Sequence, residues 1–290
     1  MKKIIQDYKI PENQNFGVEI ECGTNKNCNC DIHENEHKFS YECLKSIFLK
    51  EKIKCYVPED DMRENYNKTF WHIGSDGSIR NLNWTVEIRS PILTGESGLD
   101  KVLKVIDILV NLGFEVNASC GFHVHFDASK IKIENLKSLI YLYSIFEKCI
   151  NKITAKEREN CRHSRSMDFT EIVGPRGGNK RISKKETLDR LESCENIDQI
   201  IDLYPSRYKK INVTAIQKFN TIEFRQHQGD FNKNRIIRWI RFLSLIIKFT
   251  EKNNVLNDKN NLLKFLDNND ILVADLEKYI NYKIIIPKKK

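Results

Sequence analysis

The segment 117–127 reads NASCGFHVHFD, and its alternation of apolar and polar side chains predicts a β-strand. Successive side chains of a strand point to opposite faces, so His123, His125 and Asp127 share one face. Gly121 stands directly before the alternation, and a glycine beside a strand often marks a close approach of the backbone to a ligand. Two imidazoles on one sheet face suit a metal or phosphate site, although a polar face open to water shows the same pattern.

Three further segments alternate in the same way and carry carboxylates on one face. They are FGVEIEC (16–22) with Glu19 and Glu21, WTVEIRS (84–90) with Glu87, and NTIEFRQHQG (220–229) with Glu223 and Arg225. Facing carboxylates repel one another unless a cation lies between them, although a solvent-facing edge strand would also carry the first pair. Oxygen ligands with one imidazole suit Mg²⁺ or Mn²⁺ better than a thiol-rich zinc site.

Three long amphipathic segments predict helices at 97–112, 133–153 and 234–252. With the alternating strands they predict an α+β fold, in which a mainly antiparallel sheet packs its apolar face on helices and leaves an open, funnel-like polar face. We expect a single catalytic domain over the whole chain. Its further segments are a polar, cysteine-containing insertion at about 23–68, a basic lid-like segment at about 154–205 and a C-terminal helical extension at about 251–290.

Composition narrows the class of protein. The chain has 290 residues, 40% hydrophobic and 30% charged, which is typical of a folded globular protein. Its net charge of +8 favours anionic partners. No apolar stretch is long enough to suggest a membrane span, and the N-terminus lacks the apolar core of a signal peptide. We therefore expect a cytoplasmic protein with no membrane partner.

The nine cysteines are odd in number and irregular in spacing, which predicts reduced thiols rather than a disulfide framework. Four potential zinc ligands, Cys28, Cys30, His33 and His37, lie in the polar insertion. Their spacing differs from that of common structural zinc sites, so a loop without a metal is the alternative.

The motifs GVEIE, WTVEIRSP, CGFHVHFD, RYKKIN and TIEFRQHQGD together resemble, in the same order, those of the amidoligase family over about residues 16–250. The resemblance implies a carboxylate–amine ligase with a glutamine-synthetase-like fold, whose sheet face binds ATP and two or three Mg²⁺ ions. It implies transfer of a phosphoryl group from ATP to a carboxylate, attack of an amine on the acyl phosphate, and release of ADP and phosphate.

The same resemblance implies the site residues. They are Glu19, Glu21, Glu87, His123 and Glu223 as metal ligands, His125, Arg225, Arg207 and Asn212 as nucleotide contacts, and Arg225, Glu223 and Glu87 as catalytic residues. His123 resembles the imidazole ligand of the metal that also contacts Glu223, and His125 resembles a phosphate contact. Arg225 resembles the arginine that stabilises the transferred phosphoryl group. Asp76–Ser78 matches a DGS turn near the family's site.

Three other functions remain open at this point. A metal-dependent hydrolase would use the two histidines with nearby carboxylates to activate water. A non-catalytic basic binding protein could have kept the fold. Nucleic-acid binding would draw on the net charge, but we expect no specific nucleic acid because no recognised motif supports it. The expected substrates are a carboxylate and an amine, with an acidic compound, peptide or protein favoured by the arginines at 154–181, and the oligomeric state is open.

Overall fold

The computed structural model describes residues 8–27, 39–58, 68–159, 161–167, 171–173, 179–181 and 184–252. The chain divides into two compact units. The N-terminal unit comprises Ile10–Phe126 and His227–Ile237, and the C-terminal unit comprises Met1–Lys9, Asp127–Gln226 and Arg238–Lys290. The prediction of a single domain stays a prediction.

The N-terminal unit is a sheet with helices. Its elements are β1 (Asn15–Thr24), α1 (Tyr41–Lys50), β2 (Cys55–Tyr56), β3 (Trp71–Gly74), β4 (Trp84–Arg89), β5 (Leu93–Thr94), α2 (Gly95–Asn111) and β6 (Phe122–Asp127). The strands follow the order β2-β3-β4-β1-β6, and β5 pairs with the start of β1. Apart from the parallel pair β2–β3, these pairings are antiparallel. The predicted mixture of helices with a mainly antiparallel sheet is therefore confirmed.

Strand β1 lies between β4 and β6 and alternates between two environments. Phe16, Val18 and Ile20 are buried in the core, whereas Glu19 and Glu21 lie on the other face. Helix α2 closes the apolar side and buries a regular stripe of side chains. The stripe consists of Leu99, Val102, Val105, Ile106 and Leu109. The period of this stripe is that of a helix packing one face on a sheet, as the sequence predicted.

The C-terminal unit is mainly helical. Its elements are α3 (Ile133–Ile153), a 3-10 helix (Lys156–Arg158), the hairpin β7 (Glu171–Val173) and β8 (Asn179–Arg181), α4 (Lys184–Ser193), α5 (Ile197–Leu203), β9 (Ile211–Asn212), α6 (Ala215–Phe219), β10 (Thr221–Phe224) and α7 (Lys233–Lys252), which begins before the unit boundary. Tyr143 of α3 and Phe224 of β10 are fully buried, with ring centroids 5.9 Å apart. Asn220 ends α6 in the left-handed conformation, at φ 56°, and β10 begins directly after it.

Some predicted features lie outside the described residues. They are the potential zinc ligands Cys28, Cys30, His33 and His37, parts of the basic lid-like segment (160, 168–170, 174–178 and 182–183) and the C-terminal extension from residue 253 onward. Among the described cysteines, Cys22, Cys55, Cys161 and Cys194 carry free thiols. Cys43 is disulfide-bonded, so the prediction of reduced cysteines throughout is wrong at this position. None of the helices in the described ranges combines the length and the apolar composition needed to cross a membrane.

Candidate functional site

The polar face of the N-terminal sheet gathers charged side chains from three adjacent strands. In the backbone register Glu19 of β1 lies between Arg89 of β4 and His123 of β6, and Glu21 lies opposite Glu87. His125 stands opposite Gly17, one pleat along the same face. The alternation within each strand would place these residues on a common face in any register that kept the apolar residues buried. Strand pairing then brings them within contact distance.

Glu19 binds both histidines of β6. Its Oε2 lies 3.0 Å from Nδ1 of His123, and its Oε1 lies 3.4 Å from Nε2 of His125. Burial opposes ionisation of Glu19, but hydrogen bonds from the two imidazoles and their charges outweigh it and hold the pKa of this carboxyl well below its ordinary value. Glu19 is therefore ionised at neutral pH, is hydrogen-bonded to His123 and lies within ion-pair distance of His125.

Three carboxylates form a second cluster beside the first. Oxygen atoms of Glu21, Asp76 and Glu87 all lie within 4.8 Å of one another. The backbone N–H of Gly121 donates to Oε2 of Glu21 at 2.6 Å, and the N–H of Ser78 donates to Oδ1 of Asp76 at 2.5 Å. The tight turn after β3 thus aims Asp76 at the sheet face, where the sequence match to a DGS turn predicted it.

The surroundings of Glu87 disfavour its charged form. Burial and the negative charge of Glu19 raise its pKa well above the ordinary value, although the guanidinium of Arg89 pairs with it and acts in the opposite direction. A cluster of oxygen ligands with repelling charges is the donor set that hard divalent cations such as Mg²⁺ bind. The residues present therefore fit a divalent cation held by Glu21, Asp76 and Glu87.

His72 of β3 is a site residue that the sequence did not single out. It lies opposite Arg89 in the register, and its ring covers Gly74, where a Cβ would come 2.8 Å from the imidazole Cε1. Burial and the charge of Arg89 lower the pKa of His72 to about 4, so the ring is neutral at pH 7. The available signal was the glycine two residues after the histidine on the same strand face, since a side chain there would exclude the ring.

The C-terminal unit holds the other predicted residues. Glu223 of β10 lies opposite Asn212 of β9, whose side-chain amide donates to Oε2 of Glu223 at 2.6 Å. Nη1 of Arg225 donates to the other oxygen of the same carboxylate. The buried carboxylate of Glu223 is thereby held from both sides, and the guanidinium of Arg225 keeps a fixed direction.

Arg207 lies on an exposed stretch before β9. Its Nη2 lies 3.0 Å from the hydroxyl of Tyr208, and this hydrogen bond together with the charge of Arg207 lowers the pKa of Tyr208. Its predicted role near the nucleotide stays a prediction.

The predicted residues therefore fall into two groups. The N-terminal unit brings together Glu19, Glu21, Glu87, His123 and His125, and the C-terminal unit brings together Asn212, Glu223 and Arg225. The prediction that His123 and Glu223 share one metal joins residues of different units and stays a prediction.

Comparison with known proteins finds the family that the sequence motifs resemble. Residues 12–247 match the sequence profile of a family described as "Putative amidoligase enzyme". The matched range contains every strand in the described part of the chain and the residues of both groups. No curated protein matches the chain.

Proposed function

The chain belongs to the amidoligase family, and from that membership we propose that it is an ATP-dependent carboxylate–amine ligase that forms an amide through an acyl phosphate. The family name indicates a ligase. The nucleotide, the metal ions, the glutamine-synthetase-like fold and the intermediate are parts of the proposal. The observation that carries it is the cluster of Glu21, Asp76 and Glu87, because such a cluster is suited to the divalent cations that accompany ATP.

Each group of residues has a place in this reaction. Glu21, Asp76 and Glu87 would hold a divalent cation, with Glu19 and His123 beside them. When bound, Mg²⁺ would offset the charge of the triphosphate and align it with the carboxylate substrate. His125, oriented by Glu19, would donate a hydrogen bond to a phosphate oxygen. Arg225, fixed on Glu223, would stabilise charge on the transferred phosphoryl group.

The proposed reaction has two steps. A carboxylate oxygen of the substrate attacks the γ-phosphorus of ATP, and the bond to the bridging oxygen breaks to leave ADP. The amine then attacks the acyl carbon, and phosphate leaves with the electron pair of the carbon–oxygen bond. The amine loses one proton in this step. The net products are an amide, ADP and phosphate.

The first test is thermal unfolding with Mg²⁺ and ATP. A ligand at about 100 times its dissociation constant adds about 2.7 kcal/mol to the free energy of unfolding. We expect that stabilisation in the wild type and its loss in Glu21→Gln, which keeps the shape of the side chain but removes a metal ligand. Glu186→Gln is the matched control, because it makes the same charge change in an exposed helix pair with Arg190.

Two results would contradict the proposal. One is a wild-type protein that Mg²⁺ and ATP do not stabilise. The other is stabilisation by Zn²⁺ alone with hydrolysis that needs no nucleotide, which would favour the metal-dependent hydrolase. With stabilisation established, release of ADP on addition of carboxylate and amine mixtures would identify the substrates.

A further inference from the structure

A buried polar network lies behind Arg225 in the C-terminal unit. Lys210, which is fully buried, is at its centre. Its Nζ donates to Oε1 of Glu147 at 2.7 Å and to Oδ1 of Asn151 at 2.6 Å, and both acceptors lie on α3. The other oxygen of Glu147 accepts the backbone N–H of Met167 at 2.8 Å. The buried charge of the lysine is therefore fully matched by a carboxylate and an amide oxygen.

The network continues through Asn151 to the residue after Arg225. The same Oδ1 of Asn151 accepts Nε2 of Gln226 at 2.7 Å. The amide oxygen of Gln226 accepts the hydroxyl of Tyr143 at 2.5 Å, and both of these side chains are fully buried. One oxygen on α3 thus joins the residue before β9 to the residue two positions after β10.

Arg225 is held between these anchors. Its backbone N–H donates to the carbonyl of Lys210 at 2.9 Å, and its own carbonyl accepts Nη2 of Arg158 at 2.6 Å. Its side-chain Nε donates to the carbonyl of His163 at 3.3 Å. The guanidinium also donates from Nη1 to the carboxylate of Glu223. Both the backbone and the side chain of Arg225 are therefore fixed.

A buried ion pair is a poor device for stability alone. Removing the hydration of Lys210 and Glu147 costs free energy, and well-packed apolar residues in their place would stabilise a core as well or better. Satisfied polar networks do fix a unique geometry, because each hydrogen bond has a preferred length and direction. The network surrounds Arg225, so the geometry that it fixes is that of Arg225.

We propose that Glu147, Asn151, Lys210 and Gln226 are positioning residues that hold the guanidinium of Arg225 in the direction required for the transferred phosphoryl group. The geometry stands on the contacts above, and its catalytic consequence rests on the proposed ligase function. None of the four side chains touches the reacting atoms in this role. They act through the backbone on either side of Arg225.

The test replaces the ion pair by apolar side chains of similar length. In Glu147→Met/Lys210→Met neither charge is left unmatched, so we expect a folded protein, whose melting temperature falls only by the loss of the acceptor of the backbone N–H of Met167. We expect binding of Mg²⁺ and ATP, measured by titration calorimetry, to weaken by about tenfold, the change that corresponds to about 1.4 kcal/mol of misdirected hydrogen bonding. Lys233→Met is the matched control, because it removes a lysine from an exposed pair with Asp107.

A second readout does not depend on the nucleotide. With ¹⁵N-labelled arginine, the Nε–H of Arg225 should exchange slowly with solvent in the wild type and faster in the double variant. Its signal is assigned by its absence from Arg225→Lys. A double variant with wild-type affinity and wild-type exchange would overturn the inference, since the ion pair would then only fill space.

The positioning role can still be tested after two other outcomes. If Mg²⁺ and ATP do not bind the wild type, the proposed function fails, and the exchange of the Arg225 Nε–H alone supports or overturns the positioning role. If the double variant does not fold, Tyr143→Phe/Gln226→Met removes the other arm of the network without leaving a buried charge. Unchanged exchange and unchanged binding in that variant would likewise overturn the inference.

Discussion

Glu19 and Glu87 have the same sequence neighbours, since each lies between a valine and an isoleucine in an alternating strand. The structure gives them opposite pKa shifts. Burial opposes ionisation of both carboxyls, but two imidazoles favour the charged form of Glu19, whereas the charge of Glu19 itself adds to the effect of burial on Glu87. The sequence predicted that both residues share a face. It could not predict which carboxyl carries the unfavourable charge, because that depends on strands paired across long sequence distances.

At the scale of this residue, we predict that Glu87→Gln stabilises the metal-free protein at pH 8. The folded-state pKa of Glu87 is raised, so the stability contributed by its protonated form is present at low pH and is lost as the pH rises through that pKa. The glutamine amide does not ionise, so the variant does not lose this stability as the pH rises. We expect a rise in melting temperature of at least about 2 °C, the shift that roughly 1 kcal/mol produces in a chain of this size. The measurement is calorimetry in chelator at pH 5 and pH 8.

The pH comparison supplies the control, because the gain should be smaller at pH 5 than at pH 8. Added Mg²⁺ should stabilise the wild type and not the variant. A variant less stable than the wild type in chelator at pH 8 would show that the contact with Arg89 outweighs the repulsion.

At the scale of the elements, periodicity predicted the long segments well. The predicted helix 133–153 is α3 itself, and the strands and the other long helices differ by a few residues at their ends. The strand predicted over 220–229 ends earlier, at Phe224, and directly after it the carbonyl of Arg225 accepts a hydrogen bond from the side chain of Arg158. Helices α4 and α5 were not predicted and lie within the segment predicted to be basic and lid-like. Only Thr187, Leu191, Ile200 and Ile201 are buried among their described side chains, so the apolar stripe is short.

Periodicity also determined which site residues could be predicted. The carboxylates and histidines were predicted because each strand carries them at a period of two. The contacts of Lys210 with Glu147 and Asn151 were not, since Lys210 lies far from helix α3 in the sequence and nothing in its local sequence distinguishes a buried lysine from an exposed one. The pairing of side chains across elements is a property of packing, which a single sequence does not display.

We predict that Gly23→Ala disrupts the pairing of β1 with β4. A Cβ at position 23 would lie 2.5 Å from the carbonyl oxygen of Trp84 and 2.8 Å from a methyl group of Leu82. The backbone oxygen cannot move aside without breaking the ladder, so we expect a loss of about 1–3 kcal/mol in the free energy of unfolding, as for overpacked cores. Chemical denaturation measures it.

Gly77→Ala is the matched control for the same substitution in the turn after β3, where no atom of the described residues other than the chain neighbours lies within 4 Å of the added Cβ. We expect its stability to stay within about 0.5 kcal/mol of the wild type. Equal effects of the two alanines would show that the loss comes from backbone entropy and not from the close approach of β4.

At the scale of the whole molecule, the chain combines an overall positive charge with a local concentration of carboxylates. The net charge is +8, yet Glu21, Asp76 and Glu87 converge on one point of the sheet. The long-range field of the protein therefore attracts a polyanion, whereas the cluster itself accepts only cations. A nucleotide and its metal ions present both charges at once, which is consistent with the proposed function.

We accordingly predict that the affinity for Mg²⁺ and ATP falls as salt rises. Between 50 and 500 mM NaCl the Debye length shortens severalfold, which screens the attraction between the basic surface and the triphosphate, and we expect the dissociation constant to rise by about three- to tenfold. Titration calorimetry across the series measures it. Sucrose at matched osmolality is the control and should have little effect, and an affinity independent of salt would contradict the prediction.

Strand β1 is hydrogen-bonded along both edges, and its side chains alternate between the core and the polar face. Inserting or deleting a single residue within it would exchange Val18 and Ile20 with Glu19 and Glu21, so the folded state and the acidic cluster would be lost together. In a library of random variants, β1 would therefore tolerate almost no length change, and selection for solubility alone would already remove most variants that damage the cluster. An engineer seeking new substrates would accordingly leave this strand untouched and diversify the segments that connect the strands.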